Sequence, residues 1–187
     1  AVLLILVFAI KAALVPLHFW LPSAYAEAPA PVAALFAIMT KVGAYAIIRV
    51  YTLIFPPDLD VTAGLHQVWL LPAALVSLAL GMIGVLAARK LDRLIAFSIV
   101  GSMGMVMVAI SLFTPQSIAA ALYYMIHSTL AGAMLFLVAD LVRTSRPDLA
   151  LAPRPPFAGT ALTSALFFVG AFRMRAKFWR IARWLSK

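Results

Sequence analysis

Apolar residues fill five stretches of the chain, at about 1–17, 32–55, 67–88, 94–113 and 118–142, and the polar residues collect almost wholly between them. Each stretch is near or above the roughly 20 residues that a helix needs to cross a hydrocarbon layer of about 30 Å. The pattern predicts five transmembrane helices and an all-α, polytopic membrane bundle. The connections are short: PPDLDVTAGLHQ near 56–67, ARKLDR at 88–93, TPQS at 114–117 and RTSRPDLALAPRPP at 143–156. Short connections force antiparallel neighbours and one bundle. Between the first two runs lies a proline-punctuated stretch, HFWLPSAYAEAPAP, at 18–31.

Composition agrees, because 65% of the 187 residues are hydrophobic and only 11% charged, against about a quarter charged in an ordinary soluble domain. The net charge of +9 would suit nucleic acid, but the Lys and Arg lie mostly between or after apolar runs, as topology signals do, and no soluble basic domain accompanies them. No nucleic-acid partner is expected; the lipid bilayer is. Arg89, Lys90 and Arg93 fall on the same side as Arg143, Arg146 and Arg154 if the three intervening runs all cross, while Asp58, Asp60 and the TPQS loop fall opposite. The positive-inside tendency makes the basic side cytoplasmic. The chain has no Cys, hence no disulfide framework and no thiolate metal site. It also shows no phosphate loop, zinc spacing, nucleotide fingerprint or hydrolytic triad, so no cofactor is expected.

The two ends deviate. AVLLILVFAI has neither the basic start nor the small-residue cleavage site of a signal peptide, and with no initiator Met it reads as a spanning helix cut short. Residues 157–172 are apolar for only 16 positions, and RMRAKFWRIARWLSK follows with six of the 15 Lys and Arg. That pattern predicts an incomplete or re-entrant segment and then an amphipathic interfacial helix, with Phe178, Trp179, Ile181, Ala182, Trp184 and Leu185 towards lipid; an abnormal terminus without a role is the alternative. The chain therefore divides into a membrane domain at 1–156 and a divergent 157–187.

Charges inside the runs carry the chemistry. A charged side chain near the midplane costs about 2.5–3.5 kcal/mol on insertion scales, so it usually faces a polar pathway. Lys11 is followed five residues later by Pro16, which cannot donate a backbone hydrogen bond and disturbs the turn before it. A lysine beside a helix break is a candidate proton or cation station, and one that snorkels to an interface is the alternative. Lys41 lies about 13 Å inside its run at 1.5 Å per residue, too deep to snorkel easily. It shares a helix face with Tyr45 and Arg49, and desolvation there disfavours its ammonium form, which suits it to proton exchange. His127, in the 118–142 run, suits a relay, or else packs against a backbone carbonyl or its neighbours Tyr123, Tyr124, Ser128 and Thr129. His18 stands at the mouth of the proline-rich stretch; His66 reads as a solvated loop residue. Glu27, Asp58, Asp60, Asp92, Asp140 and Asp148 all fall in loops or near helix ends, so neither lysine has a midplane carboxylate, and Asp140 with Arg143 reads as a surface pair. Gly81, Gly84, Gly101 and Gly104 are expected to let helices approach closely. Met103, Met105 and Met107 read as packing or lipid-facing residues, not a metal box.

The string KAALVPLHFWLPSAYAEAPAPVAALFAIMTKVGAYAIIRVY at 11–51 resembles the signature region of the proton-conducting, antiporter-like membrane family shared by respiratory complex I and the multisubunit Mrp or Pha cation/proton antiporters. Lys11, Pro16, His18, Trp20, Pro22, Lys41 and Tyr45 fill its pattern, and LDRLIAFSIVGSMG at 91–104 and ALYYMIHSTLAGAMLFLVADLV at 121–142 extend it. The resemblance covers about three-quarters of the chain and is nearest to the branch of D-type antiporter subunits. It implies a helix broken around Pro16 and Pro22, and a hydrophilic axis through Lys11, Lys41 and His127, with His18 beside it, along which protons move. It also implies potassium or sodium exchanged for protons, other antiporter subunits as partners, and a bacterial inner membrane. A proton-pumping subunit of a quinone-reducing or hydrogen-evolving complex is the alternative. Relatives in complex I more often have Leu-Pro-Asp where this chain has Leu21, Pro22 and Ser23, and a histidine near Ser102. The family's amino-terminal repeat and second broken helix are missing from the match, so the chain resembles a fragment, and a non-transporting remnant stays open as a third reading.

Overall fold

The computed structural model describes residues 2–55, 66–146, 148–151 and 159–169. In chain order they form α1 (Val2–Lys11), α2 (Trp20–Glu27), α3 (Ala30–Leu53), a π-helical turn (His66–Leu70) running into α4 (Leu71–Ala87), α5 (Leu91–Ser111), α6 (Pro115–Ser145) and α7 (Thr160–Val169). Among the described residues, four helical stretches are long and apolar enough to cross a membrane: Ala30–Leu53, Val68–Ala87, Leu91–Ser111 and Pro115–Ser145. The bundle is all-α.

Proline marks helix starts rather than interiors. Pro31 and Pro115 sit in the first two positions of α3 and α6, where the missing N–H had no intrahelical partner to lose, and Pro72 falls where the π-helical turn passes into α4. The TPQS loop closes into a reciprocal cap. The Thr114 hydroxyl accepts from the Ser117 amide at 3.1 Å, and the Thr114 amide donates to Ser117 Oγ at 3.0 Å. Two of the orphan donors at the start of α6 are satisfied in this way without water, which is why α6 begins three residues ahead of the apolar run that predicted it.

α5 is the central helix. It packs against α4, α6, α3 and α2, and Ile95, Ile99, Met103, Val106, Met107 and Ile110 are all buried on it. Met103 and Met107 are thus packing residues. The α4–α5 contact is made possible by glycine: a Cβ at Gly81 would overlap the Gly101 amide nitrogen, and one at Gly104 would overlap the backbone of Leu78. Those backbones touch, as small residues permit in membrane bundles. The opposite flank of α4, with Leu75, Val76, Met82, Ile83 and Leu86, is exposed and apolar, as a lipid-facing surface requires.

At the basic end the chain is cross-tied. The Leu91 amide donates to the Leu149 carbonyl and the Leu151 amide to the Arg89 carbonyl, both at 2.9 Å, an antiparallel bridge between Lys90 and Ala150. Arg143 lies 3.9 Å from Asp92, at the start of α5. The expected Asp140–Arg143 pair is therefore replaced by one between helices, and it places the start of α5 and the end of α6 on one side, as the charge pattern predicts.

Two further expectations change. The proline-punctuated 18–31 stretch, for which no helix is predicted, holds one, since α2 occupies most of it. The first apolar run ends as a helix at Lys11, six residues before the run itself ends. The expectations for 56–65 and for the basic tail after residue 169 lie outside the described residues, while α7, ten residues long, is too short to span.

Candidate functional site

The interruption after α1 begins before any proline. The Ala13 amide bonds the Ile10 carbonyl at 3.0 Å and the Leu14 amide bonds the Ala9 carbonyl at 2.9 Å, with Ala13 at φ 53°. This is the paired 5→2 and 6→1 closure of a helix C-terminus around a left-handed residue. Glycine is usual at that position; alanine there costs about 1–2 kcal/mol of backbone strain. Pro16 follows three residues later and keeps the chain from resuming the helix. Pro22 falls in the first turn of α2, where its missing N–H interrupts nothing.

Lys11 is the last residue of α1, and its cationic side chain is exposed. At a helix C-terminus that charge meets the negative end of the helix dipole. The backbone of the break reaches α3 at Gly43, where a Cβ would stand 3.0 Å from the Ala12 nitrogen and 3.2 Å from the Lys11 carbonyl carbon. Gly43 is two residues from Lys41. The structure thus brings the two lysine-bearing backbones into contact but leaves only one lysine buried.

Lys41 is 6% exposed in the middle of α3. Its Nζ donates to Ser102 Oγ of α5 at 3.4 Å, and Ser102 donates its own hydroxyl hydrogen to the Ile99 carbonyl at 2.9 Å. Among the described residues no carboxylate lies within 4 Å of Lys41 or of Lys11. An ammonium in such a place has one hydroxyl acceptor for three donors. Lys41 and Tyr45 line a groove of about 570 Å³ between α3 and α6, walled by Met125, Ile126 and Thr129 among others. Arg49, the third member of the expected stripe, is exposed and does not line it.

His127 is half-buried on α6 and is not among the residues lining that groove. Its neighbours Ser128 and Thr129 spend their hydroxyls on the Met125 carbonyl at 3.2 and 2.7 Å. His18 is half-buried in the connection between α1 and α2, with a buried Nδ1 that meets no hydrogen-bond partner among the described residues. Of the four expected polar residues, Lys41 is hydrogen-bonded to Ser102 of α5.

Residues 1–152 match the family described as NADH:quinone oxidoreductase/Mrp antiporter, transmembrane. The chain belongs to this family. A probable K(+)/H(+) antiporter D-type subunit of Rhizobium meliloti is 42% identical over 139 residues, covering 74% of this chain and 26% of the relative. An Na(+)/H(+) antiporter D-type subunit of Bacillus subtilis is 44% identical over 139 residues, covering 74% and 27%. The chain spans about a quarter of the length of these relatives. Among solved structures, a chain of the membrane-bound sulfane sulfur reductase, an archaeal respiratory membrane complex, superposes with a TM-score of 0.76 at 27% identity over 89% of this chain and 34% of that one. The Mrp complex from Dietzia sp. shares the fold, with a TM-score of 0.66 at 24% identity over 95% of this chain and 37% of the matched one.

Within this member of the NADH:quinone oxidoreductase/Mrp antiporter family, three site residues escaped the sequence pattern. Ser102 carried a signal only as a departure, since the resemblance leads one to expect, in the complex I branch, a histidine near this position more often than not. Gly43 is one glycine among nine, with nothing local to show that the distant backbone of Phe8, Lys11 and Ala12 rests on it. Ser77, fully buried on α4, accepts the Val15 amide at 2.8 Å and donates to the Ala73 carbonyl at 2.7 Å. A lone serine in an apolar run reads as packing until its partner is known.

Proposed function

We propose that the chain is the central portion of a D-type subunit of a multisubunit potassium/proton or sodium/proton antiporter of the bacterial inner membrane, in which Lys41 takes up and releases protons. The observation that carries this reading is a lysine buried in the middle of a membrane-crossing helix, held by one serine and facing a groove. A permanently charged, unpaired ammonium is costly there, whereas one that trades its proton with an adjoining water or side chain is not. Lys11, at the exposed end of α1, supplies the neighbouring station, and His127 and His18 extend the route on α6 and at the break. The antiporter names of the relatives support the cation/proton exchange, and other subunits of such a complex are the partners. No catalytic chemistry is assigned; the work is secondary transport.

The test uses the full-length subunit in its complex, in everted membrane vesicles with a fluorescent reporter of the pH gradient. Lys41→Ala is expected to abolish cation-dependent collapse of the gradient while the complex assembles normally. Unchanged exchange would remove Lys41 from the route. A second reading, a proton-pumping subunit of a redox complex, is favoured by the likeness to the sulfane sulfur reductase chain. Genes for redox subunits beside this one, in place of other antiporter subunits, would select it.

A further inference from the structure

Among the described residues, the interrupted segment after α1 is joined to α4 by one hydrogen bond, while Trp20 Nε1, at the start of α2, spans the break to donate to the Ile10 carbonyl of α1 at 3.0 Å. Its amides at Ala12, Ala13, Leu14 and Leu17 close on carbonyls of α1 or of the segment itself, and Pro16 has no N–H. The Val15 amide alone among these leaves the segment, for Ser77 Oγ at 2.8 Å. Ser77 is fully buried and its own proton is committed to the Ala73 carbonyl at 2.7 Å. A lone pair is therefore held towards Val15, in one orientation. α4 packs on α5 and on the turn that precedes it, and through this bond it also reaches the break. Ala12, Ala13 and Leu14 are at most 2% exposed and Ser77 is fully buried, with Val15 half-buried between them.

We propose that Ser77 is the positioning residue of the helix break: its hydroxyl fixes the 12–19 segment, and with it the Lys11 end of α1, against Gly43 of α3. Ser77 touches no transported ion and acts through Val15. The proposal rests on the reading that protons pass by Lys11 and Lys41, because only then does the placement of Lys11 control a rate. Two anchors result. Gly43 lets the backbone of the break close on α3, and Ser77 stops it from lifting away.

The experiment compares Ser77→Ala, Ser77→Cys and Ser77→Thr in the full-length subunit within its complex. Cysteine is close to serine in volume and a poorer acceptor, so it reports the hydrogen bond even if the alanine variant assembles badly. Threonine keeps the hydroxyl. Hydrogen exchange of peptides covering 12–19, followed by mass spectrometry, should be about tenfold faster in Ser77→Cys and close to wild type in Ser77→Thr. Transport in vesicles should show a maximal rate lowered about fivefold or more, with the half-saturating cation concentration unchanged, and rescue by threonine. Unchanged exchange of 12–19 in Ser77→Cys would overturn the proposal, as would a threonine variant that fails just as cysteine does. Lys41→Ala run alongside separates the two ideas: if that variant transports normally the proton route is wrong, while the amide exchange still decides whether Ser77 holds the break.

Discussion

Lys11 and Lys41 look alike in the sequence, each a single cation inside an apolar run, yet the fold treats them differently. Lys41 sits in a helix of 24 residues that packs on α5 and α6, so its ammonium is buried and, among the described residues, is hydrogen-bonded to Ser102 alone. Lys11 ends a helix of ten residues that packs on α3 and accepts a hydrogen bond from Trp20 of α2 at Ile10, and its side chain is exposed. A run of apolar residues therefore says that a charge is deep along the chain, but only the neighbours say that it is deep in the protein. The helix end also gives Lys11 a compensating dipole that Lys41, in mid-helix, lacks.

The contrast can be tested by substitution. The largest effect is expected for Lys41→Ala, with cation/proton exchange in vesicles lowered about 100-fold or more, the usual range for losing a proton-transfer group, against a loss of about tenfold, below that range, for the exposed Lys11→Ala. Equal losses would show that Lys11 is as enclosed as Lys41 in the assembled complex. Next comes the packed side on which Lys41 depends. Gly81→Ala drives a methyl into the Gly101 backbone, whereas Gly101→Ala meets nothing nearer than 3.8 Å. The first should cost about 1–3 kcal/mol as overpacking and lower the thermal unfolding temperature of the detergent-purified subunit, and the second should not. The smallest effect belongs to the Lys11 side. In Ala13→Gly, relief of left-handed strain is offset by a looser unfolded chain and a lost buried methyl, so stability should change by no more than about 0.5 kcal/mol. A large loss in the same unfolding assay would mean that the Ala13 methyl, not the turn, holds the break.

Much of the bundle was legible because burial in lipid writes itself into composition. The runs at 32–55, 67–88, 94–113 and 118–142 became α3 to α6 with shifts of a few residues, set by Pro31, Pro72 and Pro115 and by the Thr114–Ser117 cap, all local features. The glycine contact of α4 with α5 was legible for the same reason. The break was harder, because its start depends on Ala13 adopting a conformation that alanine seldom takes, and no local signal marks that choice. α2 was hidden by Pro22, which reads as a breaker unless one knows that it falls in the first turn. Lys41 was found from its depth in the run. Ser102 and Ser77, 61 and 62 residues from the atoms they bind, were not, since nothing in a single sequence pairs a serine with a distant donor.

The bridge between Lys90 and Ala150 has a mechanical meaning. The α5–α6 hairpin is shut at one end by the capped Thr114 turn and at the other by two backbone hydrogen bonds and the Asp92–Arg143 contact. A hairpin fastened at both ends cannot shear by a residue without unfastening one of them. α5 and α6 are thus fastened to each other at both ends, carrying Ser102 and His127 together, and the groove beside Lys41 lies between that pair and α3.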